Sequence, residues 1–373
     1  MAQTGSDEQF MKEALRLALR GAGMTSPNPL VGAVVVKQGA VIGRGYHREL
    51  GGPHAEINAI RDAGGSCAGA TLYVTLEPCN HHGLTPPCTR AIIEAGISRV
   101  VFGMRDPNPD VSGGGGECLG REGIEVRAGV FEPECRRINQ PFIKYVTTGV
   151  PYVTLKAAAT MDGFIAASSG DSKWITGGLS RRFAHRLRSL SDGVLVGIGT
   201  VLADDPLLTV RLRGKKNRRE PFRIILDGGL RIPVESQLVR SASAGPVLVI
   251  CRQDAPARKE RALVGADIDV IRVPAMDSGL DLAWVLKALG EKRISSILVE
   301  GGGRVLGSFL EGGLADDFHF FYAPKILGDP GGVKMLSCGP KLKIGDCIRA
   351  YELTARKFAG DLLVSGRFHE QLY

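Results

Sequence analysis

Long hydrophobic runs are missing from the 373-residue sequence, since no apolar stretch approaches the roughly 18 residues of a membrane span. The first residues, MAQTGSDEQF, are polar and acidic, so we expect no signal peptide and a cytoplasmic location. Eight cysteines scattered along so long a chain exclude a disulfide scaffold, and without export they are expected to be reduced. A cysteine in a distinctive context is therefore a candidate metal ligand or catalytic group.

Net charge is absent from the first 150 residues, which contain 15 Lys and Arg and 15 Asp and Glu. The remainder carries the whole net charge of +8, which indicates either an anionic ligand in that half or a solvated basic surface. The chain is too long for one compact core, so two domains are expected. Because a new strand pattern begins near Pro151, we place the domains at 1–149 and 150–373.

Strand and helix patterns alternate along both halves, which predicts an α/β fold with two domains of the three-layer α/β/α type. In the first half, residues 7–22 have helical spacing and residues 31–47 form a hairpin pattern around Gln38 and Gly39. The β-α-β-α-β order to residue 104 predicts a largely parallel sheet. In the second half, a strand is predicted at the start of residues 151–166. Further strands are predicted at 192–199, 222–228, 245–252, 267–273, 294–301 and 318–324, with helices that include 180–190 and 282–289.

A possible metal site is indicated by His54, which lies two residues before Glu56 at the start of a predicted helix. Cys79 follows Pro78 at the end of a predicted strand, and Cys88 comes nine residues later. One histidine and two thiolates leave the fourth position of zinc open for a water molecule, which becomes a nucleophile near neutral pH. H-x-E followed by P-C-x-x-C is the signature of zinc deaminases, in which the glutamate transfers protons. Here eight residues, not two, separate the cysteines.

The long insert between the cysteines resembles that of the riboflavin-biosynthesis deaminase–reductases. The similar motifs are NPLVGAV at 28–34, GRGYH at 43–47, PHAE at 53–56, EPCNHHGLTPPC at 77–88 and DPNP at 106–109. Enzymes of that family deaminate a diaminopyrimidinone ribosyl phosphate and then reduce its ribosyl side chain to ribityl. The resemblance implies a cytidine-deaminase-like N-terminal domain with one Zn²⁺ per chain.

The resemblance also implies roles for individual residues of the first domain. His54, Cys79 and Cys88 would bind zinc, and Glu56 would be the proton shuttle. The substrate pocket would be lined by Asn28, His47, His81, Asp106 and Asn108.

One position departs from the family pattern. The family usually has Lys or Arg five residues after the first cysteine, where it can pair with the substrate phosphate, whereas this chain has Leu84. The following loop, which often carries another basic residue, is GGGG at 113–116. His81, His82 and Arg90 are the residues that could compensate.

A Gly-rich turn at 294–314 marks a possible cofactor site, because backbone amides at a helix N-terminus bind phosphate. The turn lacks the G-x-G-x-x-G order, and taken alone it is better explained as a tight βα turn. However, TLKAAATMDGFIA at 154–166, GDSKWIT at 170–176, GTVLADDPLLTVR at 199–211 and VEGGGRVL at 299–306 resemble the reductase half of the same family. The resemblance implies a dihydrofolate-reductase-like fold that uses NADPH.

Residue roles in the second domain follow from the same resemblance. The cofactor would contact Ala158, Trp174, Thr200, Asp204, Gly302, Gly303, Arg304, Val305 and Leu306. The substrate would contact Ser172, Arg188, Leu208, Arg211 and Glu300. Hydride must reach C1 of the sugar in its ring-opened imine form, and either Lys156 or Glu300 would supply the proton.

Three other interpretations compete with this one. A nucleic-acid base deaminase would use the same zinc chemistry, but it favours basic surface around the metal, and residues 1–150 are net neutral. A non-enzymatic zinc-stabilised domain would close the site with a fourth protein ligand. In the third, one half is active and the other is a scaffold. We expect a small-molecule substrate, no nucleic acid and no membrane, and the resemblance suggests a homo-oligomer, either dimer or tetramer.

Overall fold

A computed structural model of the protein describes residues 4–65, 67–81, 86–109, 114–212, 219–276, 279–340 and 343–373. The chain divides into two compact units, one of residues 1–149 with 372–373 and the other of residues 150–371. The last two residues, which the sequence analysis assigns to the second domain, thus belong to the first unit. Within the described ranges, every helix is too short or too polar to span a bilayer.

The first unit is built around one mixed sheet flanked by helices. Its strands are β1 (Gly32–Lys37), β2 (Ala40–Tyr46), β3 (Thr71–Leu76), β4 (Arg99–Met104) and β5 (Glu125–Ala128). Its helices are α1 (Thr4–Ala18), α2 (Ala55–Asp62), α3 (Cys88–Glu94), α4 (Gly115–Arg121), α5 (Glu132–Ile138) and α6 (Gln140–Thr148), with a 3-10 turn at Leu19–Gly21. In the described part of the unit the strand order is β2-β1-β3-β4-β5.

The sheet of the first unit contains the predicted hairpin, β1 with β2, but the sequence does not predict the antiparallel pairing of β1 with β3. β3, β4 and β5 are parallel, but β1 is antiparallel to both β2 and β3. Gln38 and Gly39, both with positive φ, form the two-residue turn between β1 and β2, and such a turn can join only antiparallel strands. β2 and β3, which α2 connects, do run in the same direction. However, they are not neighbours, because β1 lies between them in the sheet.

Glycines let helices approach this sheet closely on both faces. A Cβ on Gly32 of β1 would lie 2.0 Å from the carbonyl oxygen of Ala14 in α1. On the opposite face, a Cβ on Gly45 of β2 would lie 2.1 Å from the carbonyl oxygen of Ala55 in α2. The sheet is therefore the middle of three layers, and α2 packs directly over the end of β2 that leads to the candidate site.

A buried ion cluster joins α1 to the sheet. Both carboxylate oxygens of Asp7 accept hydrogen bonds from Arg99, each at 2.9 Å, and Arg127 Nη1 and the Tyr73 hydroxyl donate at 2.7 Å. Asp7 is fully buried, and its hydrogen bonds with Arg99 hold the pKa of its carboxyl below the ordinary value. Because the folded-state pKa is depressed, the stabilisation is present above the unfolded pKa and is lost as pH falls through the folded one.

We expect Asp7→Ala to destabilise the first unit by about 3–5 kcal/mol, because Arg99, only 12% exposed, would lose its partner. Chemical denaturation at pH 7 measures this, with the exposed neighbour Glu8→Ala as the control. The difference between Asp7→Ala and the parent should shrink as pH falls through the depressed Asp7 pKa. Equal unfolding midpoints for the two variants at pH 7 would show that the cluster contributes nothing.

The second unit contains a larger sheet. Its strands are β6 (Tyr152–Thr160), β7 (Phe164–Ala166), β8 (Gly193–Gly197), β9 (Phe222–Leu226), β10 (Val247–Arg252), β11 (Asp269–Val273), β12 (Ala275–Met276), β13 (Gly279–Leu280), β14 (Ser296–Val299), β15 (Asp317–Ala323), β16 (Val333–Lys334), β17 (Tyr351–Phe358) and β18 (Asp361–Arg367). Its helices are α7 (Gly178–Arg188), α8 (Ile198–Asp204), α9 (Gln237–Arg240), α10 (Ala257–Val264), α11 (Leu282–Glu291) and α12 (Gly303–Glu311), with 3-10 turns at Ala242–Ala244 and Ile344–Asp346.

The main sheet of this unit has the order β11-β10-β9-β8-β14-β6-β15-β18-β17 within the described residues. The strands from β11 to β15 are parallel, and β18 and β17 add an antiparallel edge. Alternate residues of β8 face different cores, since Leu195 packs in one hydrophobic cluster and Val194 and Val196 in another. The sheet is thus covered on both faces, and the carboxyl ends of β6, β8 and β14 meet at one edge, where α/β proteins place their sites.

β17 and β18 are the longest described strands of the second unit that the sequence does not predict, and it does not predict the two-residue strands β12, β13 and β16 either. β17 alternates polar and apolar residues, and Ala359 and Gly360 form the turn to β18. β17 is exposed along nearly its whole length, so it lacks the apolar run that identifies the central strands.

Candidate active sites

Three side chains of the first unit meet where strand–helix connections cross the end of the sheet. His54 is the N-cap residue of α2, Cys79 follows β3, and Cys88 is the first residue of α3. The Cys88 amide donates to Cys79 Sγ at 3.3 Å, and the Thr89 amide donates to the carbonyl oxygen of Cys79. These backbone bonds place both thiols beside one another although eight residues separate them.

The three ligand atoms fit a tetrahedral metal ion. His54 Nδ1 lies 3.2 Å from Cys88 Sγ and 3.5 Å from Cys79 Sγ, and all three atoms lie within 4.8 Å of one another. Zinc bonds of about 2.0–2.3 Å at tetrahedral angles place neighbouring ligand atoms about 3.5 Å apart. The donor set and the spacing therefore suit Zn²⁺, and three protein ligands leave one position open.

Glu56 lies in the first turn of α2, two residues after His54, and is buried. Burial raises the pKa of its carboxyl, and this outweighs the opposing effect of His54. A carboxyl with a raised pKa, beside an open metal position, can both accept and return a proton.

The metal site opens into a cavity of about 240 Å³, which contains all of the substrate residues predicted for this unit. Its lining includes Asn28, His47, His54, Glu56, Cys79, His81, Asp106 and Asn108. Asn108 follows the DP turn after β4, and its amide donates to Asp106 Oδ1 at 3.0 Å. Burial raises the pKa of the Asp106 carboxyl.

His47 has a defined hydrogen-bonding state. Its Nδ1 lies 3.2 Å from the carbonyl oxygen of Pro53, and its Nε2 lies 3.3 Å from the amide nitrogen of Asn28. Since a carbonyl oxygen only accepts, Nδ1 carries the proton and Nε2 accepts from Asn28. Burial lowers the pKa of His47, so the ring is neutral at pH 7 and offers a hydrogen-bond pattern, not a charge.

Glu77 is a pocket residue that the sequence analysis missed. Its Oε1 accepts from the Gly116 amide at 3.0 Å, and its Oε2 accepts from the Asp106 amide at 3.3 Å. One buried carboxylate thus connects the end of β3, the end of β4 and the start of α4. The E-P-C motif contains the signal, but the sequence marks Glu77 only as the end of the predicted strand before Pro78 and Cys79. A Cβ on Gly115 would lie 1.7 Å from the carbonyl oxygen of Pro78, so this part of the Gly run is required by packing.

Leu84 and His82, the residues relevant to the unusual phosphate position, lie outside the described residues. Arg90, another residue considered as compensating, pairs with Glu94 at 2.7 Å on the surface of α3. His81 lines the cavity.

In the second unit, Glu300 is the centre of a buried charge cluster. It follows β14 and accepts from Arg188 Nε at 2.6 Å and Nη2 at 3.1 Å, while Lys156 Nζ lies 3.5 Å from its Oε2. All three side chains are at most 15% exposed. Although burial alone would raise it, the charges of Arg188 and Lys156 lower the pKa of Glu300 to about 2.

The cluster brings together three of the residues predicted for reduction, with Arg188 in an unexpected arrangement. Arg188 is expected to contact the substrate, where a guanidinium can clamp the phosphate by two hydrogen bonds. However, its Nε and Nη2 are bonded to Glu300 and its Nη1 to the Thr209 carbonyl at 3.2 Å. A guanidinium that is already bonded to a carboxylate through two nitrogens orients that carboxylate. Phosphate binding by Arg188 stays a prediction.

Ser172 and Asp204, predicted to contact substrate and cofactor respectively, lie together. The Ser172 hydroxyl donates to Asp204 Oδ1 at 3.2 Å, and Lys173 Nζ lies 3.4 Å from the same oxygen. Trp174 is 64% exposed and has the Arg181 guanidinium 4.5 Å from its ring centroid. A flat, exposed ring beside a cation is available to pack on another planar group.

The Gly-rich turn lies between β14 and α12, with Gly302 as the N-cap residue. A Cβ on Gly302 would lie 3.8 Å from Thr200 Oγ1, which brings these two predicted cofactor residues together. Gly303 has a packing role, since a Cβ there would lie 2.2 Å from the Lys334 carbonyl oxygen. Leu306 is buried in the core, whereas Arg304 is exposed. The other predicted contacts are Ala158, half-buried on β6, half-buried Val305, buried Leu208 and exposed Arg211.

The fold and the His–Cys–Cys cluster define a zinc-binding deaminase domain joined to a second α/β domain. Two family models match these halves. Residues 4–104 match the cytidine and deoxycytidylate deaminase zinc-binding region, and residues 151–362 match the RibD C-terminal domain.

Whole-chain similarity extends across both halves. The riboflavin biosynthesis protein RibD of Aquifex aeolicus is 47% identical over 323 residues, which cover 87% of this chain and 88% of the relative. Acinetobacter baumannii RibD superposes with a TM-score of 0.88 at 36% identity, covering 98% of this chain and 99% of that one. A deaminase/reductase of Thermotoga maritima has a TM-score of 0.85 at 41% identity, with the same coverage. The chain belongs to the RibD family, the bifunctional deaminase–reductases of riboflavin biosynthesis.

Proposed function

We propose that residues 1–149 deaminate a diaminopyrimidinone ribosyl phosphate and that residues 150–373 reduce the ribosyl side chain of the product to ribityl. The observation that supports the first step is the His54–Cys79–Cys88 cluster, which shares one cavity with Glu56 and with five polar groups suited to an aminopyrimidine. The Thermotoga relative is described as a diaminohydroxyphosphoribosylaminopyrimidine deaminase and 5-amino-6-(5-phosphoribosylamino)uracil reductase.

In deamination, His54, Cys79 and Cys88 would hold the zinc ion, which when bound would lower the pKa of a water molecule beside Glu56. Glu56 accepts the proton that the attacking water loses. It then delivers that proton to the amino nitrogen, which leaves as ammonia, and the second proton of the water ends on the adjacent ring nitrogen as the ring carbon gains a carbonyl oxygen. Asp106 and neutral His47 orient the ring by hydrogen bonds.

In reduction, NADPH would supply the hydride when bound. The ring-opened imine must gain a hydride at C1 and a proton at nitrogen, so the protein has to provide one acid. Glu300, with its pKa near 2, is ionised at neutral pH and cannot donate. Lys156, held at 3.5 Å by Glu300, is therefore the proton donor that we propose. Ser172 would contact the sugar and Asp204 the cofactor, and the hydrogen bond between these two side chains supports that pairing.

The proposed cofactors are one Zn²⁺ per chain and NADPH rather than NADH. A homo-oligomer, either dimer or tetramer, and a cytoplasmic location stay predictions from the resemblance and the N-terminal sequence. Sedimentation of the purified protein measures the first of these.

The test follows ammonia release and loss of NADPH absorbance in one cuvette with the diaminopyrimidinone ribosyl phosphate. We expect ammonia without NADPH, and NADPH oxidation once the cofactor is added. Oxidation only with pre-deaminated substrate would mean that the first unit is impaired, with Leu84 the first residue to examine. Neither signal from metal-replete protein would refute the proposed substrate and would direct attention to another aminated base.

A further inference from the structure

The segment from Leu208 to Arg211 has an unusual backbone beside the charge cluster of the second unit. Leu208 has a φ of 53°, in the left-handed region that a branched side chain rarely adopts, and its side chain is buried. Such a conformation costs on the order of 1–3 kcal/mol and persists only where the surroundings impose it. The segment must therefore be held by specific contacts.

Two of those contacts come from one face of α7. Arg188 Nη1 donates to the Thr209 carbonyl at 3.2 Å, and the Arg211 amide donates to His185 Nδ1 at 3.3 Å. His185 and Arg188 are three residues apart on the helix and so point to the same side. A third contact, from the Val210 amide to Glu220 Oε2 at 3.0 Å, lies on the other side of the segment.

The hydrogen bond from Arg211 requires a neutral His185, because a protonated imidazole has no acceptor. Burial, followed by the charges of Arg188 and Arg211, lowers the pKa of His185 to about 4. The neutral ring with a free Nδ1 lone pair is thus the form present at neutral pH.

We propose that His185 is a positioning residue for the reduction. It fixes the amide of Arg211 to α7, next to Arg188, and Glu300 fixes the guanidinium of Arg188. The backbone of residues 208–211 is thereby held at a fixed position relative to the Glu300 carboxylate, through Arg188 and His185. His185 acts through this segment and not on the reacting atoms. This inference rests on the proposed function and on the substrate contacts that the family resemblance implies for Leu208 and Arg211.

The test compares His185→Leu, which removes the acceptor, with His185→Asn, whose side-chain oxygen can occupy the position of Nδ1. With pre-deaminated substrate and saturating NADPH, we expect His185→Leu to raise KM at least about tenfold with kcat within about threefold of the parent. His185→Asn should restore KM to within about threefold. If His185 were needed only for folding, the Leu variant would lose thermal stability, its kcat would fall while its KM rose, and the Asn variant would restore neither.

Three outcomes would overturn the inference. An unchanged KM in His185→Leu would show that the acceptor is not needed. Equal defects in the Leu and Asn variants would show that ring volume, and not the Nδ1 acceptor, is what matters. A parent enzyme that fails to oxidise NADPH with this substrate would refute the proposed function itself, and the parent assay distinguishes that failure from the other two.

Discussion

Glu56→Gln is expected to abolish ammonia release while leaving zinc in place. The amide is nearly the same size as the carboxyl, but it cannot accept the proton of the attacking water or return one to the leaving amine. Loss of a general acid–base group costs about 10²–10⁴-fold in rate. Ammonia release per mole of protein, measured together with bound zinc by elemental analysis, tests both parts.

Two variants complete the comparison. Cys88→Ser should lose both zinc and ammonia release, whereas Glu94→Gln, on the exposed surface of α3, should change neither. NADPH oxidation with pre-deaminated substrate should be retained in all three variants. Ammonia release by Glu56→Gln at more than about a tenth of the parental rate would remove Glu56 from the proton transfers.

Glu300→Gln is expected to cause the largest loss in the second unit, in both stability and reduction. The neutral amide leaves Arg188 and Lys156 buried without a counter-charge, and breaking a buried ion pair costs about 3–5 kcal/mol. Reduction should fall at least about 100-fold, because Lys156 and the Arg188 fork lose their common partner. Thermal unfolding and NADPH oxidation measure the two effects, with Glu291→Gln on the surface of α11 as the control.

The pH dependence of this loss has a definite sign. The pKa of Glu300 is lowered from an ordinary value of 4.5 to about 2, so its stabilisation is fully present above 4.5. It is lost as pH falls from 4.5 to about 2, and the stability difference between parent and Glu300→Gln should shrink over that window. A difference that stays constant between pH 7 and pH 3 would contradict an ionised Glu300.

Lys156→Met separates proton donation from the ion pair. Arg188 remains bonded to Glu300 in this variant, so stability should fall less than in Glu300→Gln. The rate of reduction should still fall, because the proton donor is missing. Unchanged reduction in both variants would remove both residues from the mechanism.

The metal site was predictable because its chemistry requires particular residue types at particular turns. H-x-E and E-P-C each stand at a strand–helix connection, so parallel β3 and β4 and the return of β2 bring them to one end of the sheet. By contrast, the antiparallel position of β1 depends on which strand fills the gap between β2 and β3. Hydrophobic pattern does not encode that choice.

His185 and Glu77 illustrate the same limit at the level of side chains. Both act on backbone amides that are 26 and 39 residues away in sequence, and an amide carries no residue signature. Arg188 was predicted as a ligand group, but the sequence could not show that Glu300 occupies its fork. Sequence motifs therefore identify side chains that contact a ligand more readily than side chains that position the backbone by hydrogen bonds.

The position of His54 at the start of α2, with the cysteines on the next connection, has a thermodynamic consequence. These three side chains are not close together in an unfolded chain, so a metal ion that binds them crosslinks His54 to Cys88, which are 34 positions apart in sequence. The free energy of metal binding is then part of the free energy of folding of the first unit. The ion would therefore stabilise the same strand–helix connections that hold it for catalysis.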